Sequence, residues 1–126
     1  MKTPKKWRRQ WRDYRTAAGA RPVKRFFDTL TDEELAEVIA AMREIATDGL
    51  EAARHVRGDI YEVRADAETR IFRVLFASEG RFSQVLLSLV GFSKKTQKTP
   101  PAEISLAEKR LQDWRSRGKP RKPSQS

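Results

Sequence analysis

The chain has 126 residues, 38% of them hydrophobic, which suits one small core in a single domain. Its formal net charge of +10 and pI near 10.4 point to polyanions or an acidic protein as partners. Cysteine is absent and His55 is the one histidine, which excludes disulfides, thiolate metal sites and a His-rich metal site. No apolar stretch approaches the roughly 20 residues of a membrane span. The basic start lacks the apolar core of a secretory signal, so a cytoplasmic protein is expected.

Met1 to Arg15 carries Lys2, Lys5, Lys6, Arg8, Arg9, Arg12 and Arg15 against Asp13 alone, with Trp7, Trp11 and Tyr14 interleaved. Aromatic rings among cations can stack bases while the cations hold phosphates. The spacing fits a helix face, and the alternation of Trp7, Arg9, Trp11 and Asp13 fits a strand. Tryptophan's preference for burial favours an edge strand that closes the core.

Thr16 to Ala20 reads as a turn. Pro22 then opens a helix, where its missing N–H costs little, and Val23, Phe26, Phe27 and Leu30 form its apolar stripe. Thr31-Asp32-Glu33-Glu34 is a capping box for a second helix, with its stripe at Leu35, Val38, Ile39, Met42 and Ile45 and its stop at Gly49. Helices over 22–30 and 32–48 are predicted, joined as a hairpin. The acidic face Glu33, Glu37, Glu44, Asp48 would repel a phosphate chain, so nucleic acid should approach elsewhere.

Three strands follow, near 59–65, 70–77 and 82–92, rich in β-branched and long apolar residues. Their short connections make an antiparallel meander the economical topology. The last helix is predicted over 101–115, with Ile104, Ala107, Leu111 and Trp114 as its buried stripe. Residues 1–117 form the expected domain. Residues 118–126 hold no apolar side chain and are expected to be a mobile basic tail.

Between the last strand and the last helix lies Gly91-Phe92-Ser93-Lys94-Lys95-Thr96-Gln97-Lys98-Thr99-Pro100, three lysines with no acid. Beside a helix start this composition suits an anion, or else a solvated basic turn. Arg64 and Arg73 interrupt strands that otherwise read as core, so each needs a partner. The partner is Glu62 or Glu68, or a bound phosphate. In a meander Arg64, Arg73 and Lys94 would converge on one concave face. Such a cluster suits RNA cleavage, where cations surround a pentacovalent phosphorane. His55, in Arg54-His55-Val56-Arg57-Gly58, reads better as a surface histidine than as a base. Nothing supports acyl transfer or NTP hydrolysis, since Gly-x-Ser-x-Gly, P-loop and cysteine nucleophile are all missing.

The segments Asp59-Ile60-Tyr61-Glu62-Val63-Arg64, Thr69-Arg70-Ile71-Phe72-Arg73-Val74-Leu75-Phe76 and Gly91 to Pro100 resemble the RelE/ParE superfamily of type II toxins, in its HigB-like, phage-related branch. The resemblance spans about residues 6–115. It implies a small α/β (α+β) RelE-like domain: an antiparallel sheet with an N-terminal helical hairpin and a C-terminal helix. It implies a toxin of a toxin–antitoxin system, a ribosome-dependent mRNA endoribonuclease that works without metal or other cofactor. Attack by a 2′-OH would give a 2′,3′-cyclic phosphate. Its partners would be mRNA on the ribosome, rRNA and a cognate helix-turn-helix antitoxin. By position, Arg64 and Arg73 match arginines that hold the scissile phosphate. Lys94 and Lys95 match the basic segment after the last strand, and Glu62 lies where related toxins place a lysine. These five residues are the candidate catalytic set; Arg70, Lys98, Arg9 and Arg12 are the candidate RNA contacts. Many relatives have histidine directly before the Gly-Phe pair, where this chain has Val90. A lysine or Glu62 must then take any acid–base role, or the activity is weak. Two alternatives share the sequence: a ParE-like poison of DNA gyrase, and a non-catalytic basic RNA-binding module.

Overall fold

A computed structural model describes residues 9–68, 70–81, 84–94 and 98–118, with the backbone alone at Lys94. Lys95, Trp7 and the expected tail beyond Gly118 lie outside the described residues. The elements run β1 (Gln10–Asp13), α1 (Pro22–Phe27), α2 (Asp32–Asp48), a 3-10 turn (Leu50–Ala52), β2 (Arg54–Arg57), β3 (Ile60–Asp66), β4 (Ile71–Glu79), β5 (Val85–Lys94) and α3 (Pro101–Gly118). The fold is α+β, as expected. One five-stranded sheet has the order β1-β5-β4-β3-β2. β3, β4 and β5 form the antiparallel meander, and β1 lies parallel to β5 at the edge.

The helical hairpin forms as its sequence dictates. The Thr31 hydroxyl accepts from the Glu34 N–H at 3.1 Å, and the Glu34 carboxylate accepts from the Thr31 N–H at 2.9 Å, closing the capping box. Gly49 ends α2 with φ +88°, a conformation that glycine alone adopts without strain. α1 is shorter than predicted. It stops at Phe27, and the Asp28 N–H bonds back to Lys24 and Phe26, so Leu30 reaches the core from a turn. β2 was not anticipated; it is an edge strand with a bulge between His55 and Arg57. β5 runs to Lys94, two residues beyond expectation, and α3 to Gly118.

Strand alternation splits the core between two faces. Val63, Ala65, Phe72, Val74, Phe76 and Leu86 meet α2 through Val38, Met42 and Ile45. Trp11 joins this side, its indole edge-on to Phe76 and its Nε1 donating to the Met42 carbonyl at 2.7 Å. Ile60, Leu75, Ala77, Leu87, Val90 and Phe92 meet α3 through Ile104, Ala107 and Leu111. Opposite β4 the register slips by one between Leu75↔Val90 and Phe76↔Ser88, so Leu89 is an extra residue on β5. Leu89 and Val90 thus both enter the α3-side core, and the Leu89 carbonyl accepts from Arg110 of α3 at 2.7 Å.

Candidate active site

Three rows of backbone-paired residues cross the sheet beneath the start of α3. Glu62, Leu75 and Val90 make one; Arg64, Arg73 and Phe92 the next; Asp66, Ile71 and Lys94 the third. Glu62 and Arg64 alternate with Val63, which packs toward α2, so both project to the α3 face. Like charges opposed across a strand pair repel. Arg64 and Arg73 are such a pair, and each is answered by a carboxylate. Arg64 Nε donates to Asp66 Oδ1 at 3.1 Å. Arg73 Nε stands 3.7 Å from Glu62 Oε2, an ion-pair distance.

Arg73 is fully enclosed, with 0% exposure, and Glu62 shows only 2%. A charge so placed is tolerated only when paired. Glu62 gathers three groups. Its Oε2 accepts from the Thr99 hydroxyl at 2.5 Å and faces Arg73, while Oε1 lies 3.9 Å from Arg54 Nη1. Arg54 and Arg64 open this cluster to solvent, with 61% and 32% of their side chains exposed. A cleft lined by Glu44, Glu51, Arg54, Glu62 and Arg64 lies where β2 begins and the edge of β3 beyond Glu62 is uncovered.

The structure thus brings together Glu62, Arg64 and Arg73, with the backbone of Lys94 two strands away on β5. Lys98 is exposed just before Thr99. Arg70 reaches Glu34 of α2 and the Ser93 hydroxyl, each at 3.3 Å, and covers the Phe72 ring. Arg9 lies on the other face of the sheet and donates to the Ala46 carbonyl at 3.3 Å, near the end of α2. There it neutralises carbonyls at the negative helix end. Arg12 is exposed on β1, with β5 between it and β4. His55 is exposed, its Nε2 2.7 Å from the Gly58 carbonyl in the β2–β3 turn and its ring against Tyr61. Val90 is buried against α3. Two members of the cluster, Thr99 and Arg54, escaped sequence reasoning. Nothing local marks a threonine before two prolines as a partner of a carboxylate 37 positions earlier. Among the described residues no three carboxylate or imidazole groups converge to ligate a metal ion.

Comparison with known proteins bears on the same region. Residues 25–112 match the family model described as phage derived protein Gp49-like. That span runs from α1 into α3 and contains Glu62, Arg64, Arg73 and Thr99. The chain is also 36% identical over 108 residues to "Probable endoribonuclease HigB1" of Mycobacterium tuberculosis, in strains CDC 1551 / Oshkosh and ATCC 25618 / H37Rv. The alignment covers 83% of this chain and 84% of each relative. The chain belongs to the Gp49-like family of HigB-type toxins. A HigB-type toxin has an antitoxin partner. Among the described residues no helix is long and apolar enough to cross a membrane.

Proposed function

We propose the following reaction for this HigB-type toxin of a type II toxin–antitoxin system, an endoribonuclease. It acts in the cytoplasm on mRNA held in the ribosome, and the scissile phosphate docks on the α3 face of the sheet at Arg64. The 2′-oxygen bonds to phosphorus, the bond to the 5′-oxygen breaks, and a 2′,3′-cyclic phosphate forms. One proton leaves the 2′-OH and one arrives on the departing 5′-oxygen, so charge and atoms balance. Cations stabilise the phosphorane, where the negative charge grows. Arg64 supplies a fork that matches paired phosphate oxygens. Arg73, enclosed behind it, contributes positive potential through a low-dielectric interior.

The observation that carries this reading is the pairing of Arg64 with Arg73 across β3 and β4, two guanidiniums on one face with a carboxylate each. A surface that only docked on a protein would have no need to bury one of them. With Val90 in a dry core, proton transfer falls to the lysines of the segment, Lys94, Lys95 and Lys98. Glu62 holds Arg73 in place, since its carboxylate is enclosed and already engaged. Arg70, Arg9 and Arg12 are the outlying contacts with RNA. The antitoxin partner is a helix-turn-helix DNA-binding protein.

The test is induction of the chain in cells followed by primer extension on total mRNA, with Arg64→Ala beside the wild type. Discrete new 5′ ends that vanish with Arg64→Ala are expected; loss of one such contact typically costs about 10²–10³ in rate. Toxicity without new ends would favour gyrase as target, and no toxicity would favour a binding module.

A further inference from the structure

We infer that Thr99 is a positioning residue of this toxin: its hydroxyl fixes Glu62 against Arg73 and so sets where the neighbouring Lys98 stands relative to the site. The inference rests on the ribonuclease reading above. Thr99 is 6% exposed, and its Oγ1 donates to Glu62 Oε2 at 2.5 Å. The same oxygen faces Arg73 Nε. One carboxylate oxygen therefore links the residue before α3 to the enclosed guanidinium on β4.

The backbone around Thr99 makes this link stiff. Proline fixes φ and disfavours the helical region for the residue before it, which narrows the backbone freedom of Thr99. Pro100 and Pro101 follow directly. The Pro100 carbonyl accepts from the N–H of Glu103 at 3.0 Å and of Ile104 at 3.3 Å, so α3 starts without slack. Pro100 offers no side-chain cap, and the threonine hydroxyl one residue earlier is what ties this end of α3 to β3. Lys94 and Thr99 are thus both anchored to the sheet. Lys94 is held on β5 by its pairing with Ile71, and Thr99 is held on β3 through Glu62. β4 and Arg73 lie between them. Moving the second anchor moves Lys98 relative to Arg64. A shift of about 1 Å in a reacting group can cost on the order of 10²-fold in rate.

The experiment compares the full chain with Thr99→Val, which removes the donor at nearly constant shape, and Thr99→Ser, which keeps it. RNA cleavage by Thr99→Val should fall about 10²-fold in kcat with KM changed less than about threefold. Thr99→Ser should recover most of the rate. Amide hydrogen exchange in the first turn of α3 should quicken in Thr99→Val and not in Thr99→Ser. Wild-type turnover by Thr99→Val, a loss confined to KM, or equal impairment of both variants would overturn the inference. So would unchanged exchange in Thr99→Val. A wild-type chain that cuts no RNA would sink the ribonuclease reading, while the exchange measurement still judges the anchor itself.

Discussion

On β3, Tyr61, Val63 and Ala65 turn toward the helical hairpin, while Ile60, Glu62 and Arg64 turn toward α3. The hairpin side is a dry core in which aromatic rings fill the centre. Phe72 and Phe76 are sealed there, with Trp11, Phe26 and Tyr61 around them. The α3 side has an equally dry half under Ile104, Ala107 and Leu111, but its other half encloses an ion pair. A buried ion pair is weak evidence for stability, because desolvation cancels much of the Coulomb attraction. The two faces therefore teach different things. The hairpin face explains why the domain holds together, and the α3 face carries the site proposed above.

The largest expected effect tests that contrast directly. Arg73→Ala strands the Glu62 carboxylate in the interior and should lower unfolding free energy by about 3–5 kcal/mol in urea titration. Phe76→Ala, on the hairpin face, should lose a similar amount, about 3–5 kcal/mol, through cavity formation. The double variant Arg73→Met, Glu62→Leu should regain most of the stability and remain inactive on RNA. Phe76→Ala should keep its activity per folded molecule. A double variant that stayed as unstable as Arg73→Ala would break the comparison.

A smaller effect is expected at Gly91, where a Cβ would sit 2.5 Å from Cδ2 of Phe26. Gly91→Ala must push the ring aside and should cost about 1–3 kcal/mol by overpacking, read as a lowered denaturation midpoint. Thr31→Ala removes the capping hydroxyl and should cost about 1 kcal/mol with RNA cleavage unchanged.

The smallest effect concerns Asp13 on β1, which Arg21 grips with two nitrogens at 2.8 and 2.9 Å. The hydrogen bond from Arg21 holds its carboxyl below the ordinary aspartate value, against the opposing effect of partial burial. A depressed native pKa gives stability that is present above the unfolded value and lost as pH falls through the native one. The pair is partly exposed, so Asp13→Asn should cost only about 0.2–1 kcal/mol at neutral pH. In strongly acidic solution wild type and variant should converge. A gap that persisted there would mean the asparagine disturbs packing and not charge.

Much of this was legible in the residues. The hairpin announced itself through two apolar stripes, a capping box and Gly49, all local signals. Arg64 and Arg73 stood out as charges inside apolar runs, and Glu62 was among their foreseeable partners. The remainder needed tertiary information. β2 escaped because Arg54-His55-Val56-Arg57 holds a single apolar residue, and an edge strand with a bulge needs no more. Gly91 read as the entrance to an anion loop. In the folded chain it lies inside β5, and the missing side chain makes room for Phe26 of α1. The place of Arg73 in a closed interior, and of Thr99 beside it, depends on how α3 lies over the sheet, which no local pattern encodes.

The parallel pairing of β1 with β5 has a consequence for how the toxin comes into being. Gln10 to Asp13 find their partners only at Val85 to Ser88. At ~5–20 residues per second of synthesis, the first strand waits on the order of several seconds for the last. For most of that time Trp11 has no Phe76 to rest against, and throughout it the α3 clamp over Arg73 does not exist. Until Ser88 has been made, the sheet that carries the proposed site is therefore incomplete.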